Sequence, residues 1–150
     1  MKATARQKCL QAFQKLRRLQ EADENGYVTC ISSGRRYKWD CVDGGHFISR
    51  SSRATEMELD NVQPQSKHDN RHLSGNHAEY RMRLIEKIGI ERVERLENLL
   101  AASKGSDIAF EKLAHYDKIK VVLLMSNNEY DLRAKTLRKE CRRLEKGLPI

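Results

Sequence analysis

Four of the five histidines in this 150-residue chain fall between His46 and His77. Of these, His46, His68 and His72 share their stretch with Asp43, Asn61, Asp69 and Asn70. Metal-assisted hydrolysis of a phosphodiester needs a neutral imidazole to activate a water. It also needs a hard divalent cation, held by carboxylate, amide oxygen or histidine, to stabilise the pentacovalent phosphate and the leaving oxygen. The segment supplies each of these groups. Gly44 and Gly45 stand just before His46, where the lack of a Cβ would let the backbone approach a phosphate closely. Arg35, Arg36, Lys38, Arg50 and Arg53 flank the segment and are candidates for contacts to phosphate oxygens; the alternative for each is a solvated loop surface.

The elements that must hold these groups can be read from spacing. Cys9, Leu10, Phe13, Leu16 and Leu19 recur at three- and four-residue steps, so a basic amphipathic helix is predicted from Ala3 to about Ala22, ending at the Asp23-Glu24-Asn25-Gly26 turn. Tyr27–Ile31 and Tyr37–Val42 are rich in β-branched and aromatic residues around a Ser-Ser-Gly turn, which predicts a β-hairpin packed around Tyr27, Ile31, Tyr37 and Trp39. Gly44-Gly45 is expected to break the second strand, and the polar run from Ser49 to Asp60 reads as a surface loop. Asn61–Gln65 is extended, because Pro64 disfavours helix at the residue before it. Helices are then predicted from near Asp69 or Asn76 to Ile88, from Ile90 to Ala102 after Gly89, from about Asp107 to Leu124, and from a Ser126 or Asn127 cap through Leu144. Arg138, Lys139, Arg142 and Arg143 make the last helix strongly basic and are further candidates for binding nucleic acid.

Composition narrows the class. Twenty-nine Lys and Arg against twenty-one Asp and Glu give a formal charge of +8, which favours a polyanionic partner. Only two prolines interrupt the chain, and no apolar run approaches the roughly 20 residues of a spanning helix. A helix-rich α+β protein without a membrane partner or secretory leader is expected, in the cytoplasm. Cys9, Cys30, Cys41 and Cys141 form no Cys-x-x-Cys pair, so a four-cysteine zinc site is not expected.

Several strings carry a resemblance to a known family: Thr29-Cys30-Ile31-Ser32-Ser33-Gly34-Arg35, Asp43-Gly44-Gly45-His46-Phe47, Asp60-Asn61-Val62 and, most specifically, Asn70-Arg71-His72-Leu73-Ser74-Gly75-Asn76. Over roughly Leu16 to Leu96 the chain resembles the NinG, or Rap, recombination endonucleases of lambda-type phages, which are HNH (His-Me finger) nucleases. The resemblance implies a mostly helical α+β fold with a small ββα core. Residues 1–25 would form an N-terminal basic helix, 26–89 the HNH-like core and 90–150 a C-terminal helical region. It implies that His46 is the general base, that Asn61 braces the loop and orients that base, and that Asn70 is a metal ligand. His72 would be a second ligand or a phosphate contact, and Asp43 stands in for the ligand that relatives carry immediately before the base, where this chain has Gly45. Arg71, within the most specific string, joins the nucleic-acid-binding set.

One divalent ion, Mg²⁺ or Mn²⁺, is the implied cofactor. Relatives clamp a structural zinc with two Cys-x-x-Cys pairs, whereas this chain has Cys30 with Ser33 and Ser66 with Asp69. A site remodelled from Cys30, Cys41, His68 or Asp69 is one alternative, but hydrogen bonds and packing in place of zinc are expected. The implied activity is cutting of branched or single-stranded recombination DNA, by a homodimer encoded by a phage or prophage in a bacterial host. Two alternatives stay open: a DNA-binding recombination accessory protein with a decayed nuclease site, and a helical protein-interaction module.

Overall fold

The computed structural model describes residues 2–149. The first helix, α1 (Ala5–Glu21), starts at a capping box: the Thr4 hydroxyl accepts from the Gln7 amide while the Gln7 side chain accepts the Thr4 N–H. Its apolar stripe buries Cys9, Leu10, Phe13, Leu16 and Leu19, as the spacing predicts. The last helix, α6 (Asn127–Glu145), begins with the same device built from Ser126 and Glu129. The two pack along each other, with Cys9 against Tyr130 and Ala134, and Leu16 and Leu19 against Cys141.

Two small antiparallel strand pairs lie between these helices in the chain. β1 (Tyr27–Thr29) pairs with β2 (Arg36–Lys38), a shorter hairpin than the sequence predicts, because Trp39–Cys41 turns into a single 3-10 turn. Of the four residues expected to pack this hairpin, Ile31 is buried. Trp39 is half-buried against α1 and α6, while Tyr27 is exposed beneath the Arg36 guanidinium. The second pair joins β3 (Asp43–His46) to β4 (Val62–Gln65), with His46 opposite Val62 and Gly44 opposite Pro64.

The expected break at Gly44-Gly45 is therefore a strand. A Cβ on Gly44 would lie 2.8–3.0 Å from Gln14 backbone and Cβ atoms, and one on Gly45 would lie 2.2 Å from the Gln65 side chain. These glycines let α1 and the neighbouring strand come close. On the Cβ side of Gly44 the space is taken by Gln14 of α1, while Gly44 also borders an open cleft.

The polar segment between β3 and β4 also departs from expectation. Ala54, Thr55 and Glu56 are buried within it: Ala54 packs with Leu99 and Ala102, and the Glu56 carboxylate meets Arg6 and Tyr130 from the two terminal helices. After β4, His68–His72 forms one wide π-helical turn, and α2 (His77–Ile88) follows. Gly89, at φ +90°, makes the sharp junction to α3 (Ile90–Ser103) that the sequence anticipates. Tyr80, Leu84, Val93 and Leu96 of these helices form the main core with Ile31, Phe47 and Ile48. The helix expected over 107–124 is two: α4 (Asp107–Lys112) and α5 (His115–Val122), separated by extended backbone at Leu113 and Ala114. The break lets Leu113 join Leu99 and Ala102 in a second cluster while Asp117 meets Arg95 of α3. Among the described residues, no helix is long and apolar enough to cross a membrane.

Candidate functional site

His46 ends β3, where the strand hands over to the long β3–β4 segment. Its Nε2 lies 2.9 Å from the Glu56 carbonyl oxygen. A carbonyl only accepts, so Nε2 carries the proton and the neutral ring presents Nδ1 as its free lone pair. Burial lowers the His46 pKa from its ordinary value, outweighing the Glu56 hydrogen bond that favours the charged form. Geometry and burial thus both favour a neutral ring with its proton on Nε2.

Asn61, fully buried, holds the segment that supplies that carbonyl. Its Oδ1 accepts the Ile48 N–H at 2.8 Å, and its Nδ2 donates to the Ile48 and Thr55 carbonyls at 3.0 and 2.9 Å. Its own backbone carbonyl accepts from Phe47 at 2.9 Å. Asn61 touches both neighbours of the His46–Glu56 contact without touching the imidazole.

Asp43 sits at the other end of β3. Its Oδ2 accepts from Asn70 Nδ2 and Arg71 Nε, and its Oδ1 from Arg71 Nη2, each at 3.0 Å. Partial burial would raise its pKa, but these hydrogen bonds and the Arg71 charge hold it below the ordinary carboxylate value. Because Asn70 donates with its nitrogen, its Oδ1 remains an available oxygen donor. Asp43, His46 and Asn70 line one open cleft of about 550 Å³, which the π-helical turn closes from one side and α1 from the other.

Arg50 and Arg71 line the same cleft, joined by Gln14, Arg18 and Lys67, which sequence reasoning did not single out. Four cations thus face two carboxylates, Asp40 and Asp43. Arg18 donates to the Gln14 and Val42 carbonyls and lies 5.7 Å from the Trp39 ring centroid. Burial lowers its pKa despite nearby Asp43 and Asp40, and among the described residues it makes no ion pair with a carboxylate. Nothing local marks Arg18 among the basic residues of α1; the crossing of α1 over Gly44 selects it.

The other expected residues lie outside this lining. His72 is exposed on the outer side of the π-helical turn, tilted against His68 with ring centroids 5.6 Å apart. Arg35, Arg36 and Lys38 are on the β1–β2 hairpin, where Arg36 pairs with Asp23. Arg53 faces a separate cleft beside Tyr130. Arg138, Lys139, Arg142 and Arg143 are exposed along α6; Arg138 and Arg142 border a shallow groove with Lys8 and Lys15 of α1, and Arg143 pairs with Glu140.

Of the four positions at which the resemblance implies zinc cysteines, Cys30, Ser66 and Asp69 are joined by hydrogen bonds, together with Ser32. Cys30 Sγ accepts the Ser66 N–H at 3.2 Å, and Asp69 N–H donates to Ser66 Oγ at 3.1 Å. Ser32 Oγ donates to Asp69 Oδ2 at 2.6 Å. Burial would raise the Asp69 pKa, but Ser32 and Asn76 hold it low. Hydrogen bonds tie the β1–β2 turn to the entry of the π-helical turn here. Among the described residues, no three His, Cys, Asp or Glu side chains come together in a way that would cage a metal.

No curated protein and no solved structure matches the chain significantly. A family model described as bacteriophage lambda NinG protein matches residues 2–140, which extends past the Leu16–Leu96 stretch of the motifs into both terminal helices. Since that match covers nearly the whole chain, from the helix that closes the cleft to the helix packed behind it, the protein belongs to the bacteriophage lambda NinG family.

Proposed function

We propose that the chain is a metal-dependent DNA endonuclease of the HNH type that cuts branched recombination intermediates. Membership of a phage recombination-related family supports the biological setting. The observation that carries the chemistry is His46: a neutral imidazole, its Nε2 proton committed to the Glu56 carbonyl, opening with Asp43 and Asn70 onto one cationic cleft. The order β3, long loop, β4, helical turn, α2 supports a ββα finger, with the base ending the first strand and Asn70 on the turn before the helix.

In this reading His46 Nδ1 takes a proton from a water as its oxygen attacks phosphorus, the P–O bond to the leaving sugar oxygen breaks, and that oxygen takes a proton from solvent water. Asn61 fixes the loop on which the tautomer depends. Arg18, Arg50, Lys67 and Arg71 bind phosphate oxygens and orient the strand. The donors present fit a hard cation. The ionised Asp43 and the free Asn70 Oδ1 are two oxygen ligands, and Mg²⁺ ordinarily completes its shell with water and substrate phosphate. Arg71 now neutralises Asp43, but this partner is 60% exposed, so the pair contributes little and the guanidinium can turn to phosphate when a cation binds. A bound Mg²⁺ or Mn²⁺ would supply Lewis-acid stabilisation of the charge that develops on the phosphorane.

The test uses purified full-length chain with branched, duplex and single-stranded DNA, across divalent metals and with EDTA. Cutting that requires metal, falls about 10²-fold or more in His46→Ala with DNA affinity retained, and needs more metal in Asn70→Ala is the expected result. Absence of cutting on every substrate, or an unchanged rate in His46→Ala, overturns the mechanism. DNA binding with a steep salt dependence would then leave the accessory-protein reading, and its absence the interaction module.

A further inference from the structure

Glu56 is a glutamate that the mechanism above does not use, and it is only 2% exposed. A carboxylate is seldom buried so completely unless it is paired. Here Arg6 of α1 donates Nε to its Oε2 at 2.7 Å, and the Tyr130 hydroxyl of α6 donates to its Oε1. Arg6 also donates to the Arg50 carbonyl, so one guanidinium binds both ends of the segment from Arg50 to Glu56. Burial raises the Tyr130 pKa to about 12, as does its place beside this carboxylate, so the phenol remains a donor at any working pH. The same residue's backbone carbonyl accepts the His46 Nε2 proton, and the preceding carbonyl, that of Thr55, accepts from Asn61. The side chain of this segment that is hydrogen-bonded to both terminal helices therefore belongs to the residue that orients the imidazole.

We propose that Glu56 is a positioning residue: its carboxylate, clamped by Arg6 and Tyr130, sets the carbonyl that fixes the tautomer and orientation of His46, so docking of the two terminal helices aligns the base. This rests on His46 being the base. Because the carbonyl belongs to the backbone, no side-chain substitution removes it; what substitution removes is the clamp. A bare Asn61 brace then holds only the Thr55 side of the turn, and the Glu56 carbonyl is free to rotate away. His46 would exchange between its two neutral tautomers, and in one of them Nδ1 carries a proton and cannot accept another.

The experiment follows two readouts in the full chain. The first is the ¹⁵N spectrum of His46, which reports the tautomer whether or not the protein cuts DNA. The second is the cleavage rate at saturating DNA and metal. The wild type should show the Nε2–H tautomer. Glu56→Gln and Arg6→Ala should give a tautomer mixture and a rate lowered about 10-fold, a part of the ~10²-fold or more that a positioned base contributes. DNA affinity and metal requirement should be unchanged.

Tyr130→Phe removes a single hydroxyl without changing the packing shape, and it tests the clamp if Glu56→Gln fails to fold; a partial tautomer shift is expected. Folded variants that keep the wild-type tautomer overturn the proposal even if the enzyme cuts. A tautomer shift in a protein that cuts no DNA would retain the clamp and refute the nuclease reading instead. A rate loss with an unchanged tautomer would make Glu56 merely structural.

Discussion

Replacing Asn61 with Ala should be among the most damaging single changes outside the apolar core. The side chain is fully buried and makes three hydrogen bonds, all to backbone groups of the β3–β4 segment. Truncation leaves the Ile48 N–H and the Ile48 and Thr55 carbonyls without that partner in a place where little water reaches. A buried group left unsatisfied costs about 1–3 kcal/mol. Taking the low end for each group, because a water can enter the space vacated by the amide, the loss is about 3 kcal/mol. A chain of this size shifts its melting temperature by roughly 2–4 °C per kcal/mol, so Tm should fall by about 6–12 °C.

Asn61→Asp should be no better, since it exchanges the amide donor for an oxygen aimed at two carbonyls. Urea unfolding of the wild type and both variants measures the cost. A destabilisation below about 1 kcal/mol in Asn61→Ala would show that the segment is held by other contacts, and the brace argument would fail. A stable Asn61→Ala that has nonetheless lost cleavage would place Asn61 in the chemistry rather than beneath it.

The remaining predictions concern His46, Gly44 and Cys30. Because burial lowers the His46 pKa, the ring is neutral at pH 7. In the proposed mechanism the acid limb of the cleavage rate, where His46 takes up a proton, should be centred below the ordinary histidine value of 6.5, so a limb centred at or above 6.5 contradicts the assignment. Asp43, held lower still, stays ionised throughout that limb. Gly44→Ala would press a methyl against the Gln14 Cβ and backbone atoms at 2.8–3.0 Å and should cost about 1–3 kcal/mol, with activity falling as α1 is pushed from the cleft; a neutral variant in urea unfolding would refute that packing. Cys30→Ser keeps an acceptor for the Ser66 N–H in a smaller group, so it should cost no more than about 1 kcal/mol, and full unfolding would reveal a larger role for the sulfur.

Local pattern was enough for most of the helices. The stripe of α1, the Ser126 cap of α6 and the Gly89 junction between α2 and α3 were legible because each depends on residues three or four apart or on a single backbone conformation. The histidine, asparagine and aspartate types suited to phosphodiester chemistry were likewise legible, since they occur in one short stretch, and the structure brings Asp43, His46 and Asn70 into one cleft.

What local pattern misread depends on distant contacts. Gly44-Gly45 looks like a strand break until α1 is seen lying over it, and 107–124 looks like one helix until Leu113 and Asp117 are seen to need the same helix, α3, from different directions. The resemblance also implied His72 as a second ligand or a phosphate contact, whereas His72 is exposed on the wide π-helical turn beside His68, outside the cleft lining. Glu56 reads as part of a polar surface loop, because its partners stand 50 and 74 residues away. A buried charge is tolerated only where its counter-ion and donors converge, and such convergence has no period in the sequence. Composition and spacing therefore determined which residue types this chain gathers into one stretch, while tertiary packing decided which arginine faces the cleft, which carbonyl holds the imidazole and which histidine lies outside the cleft lining.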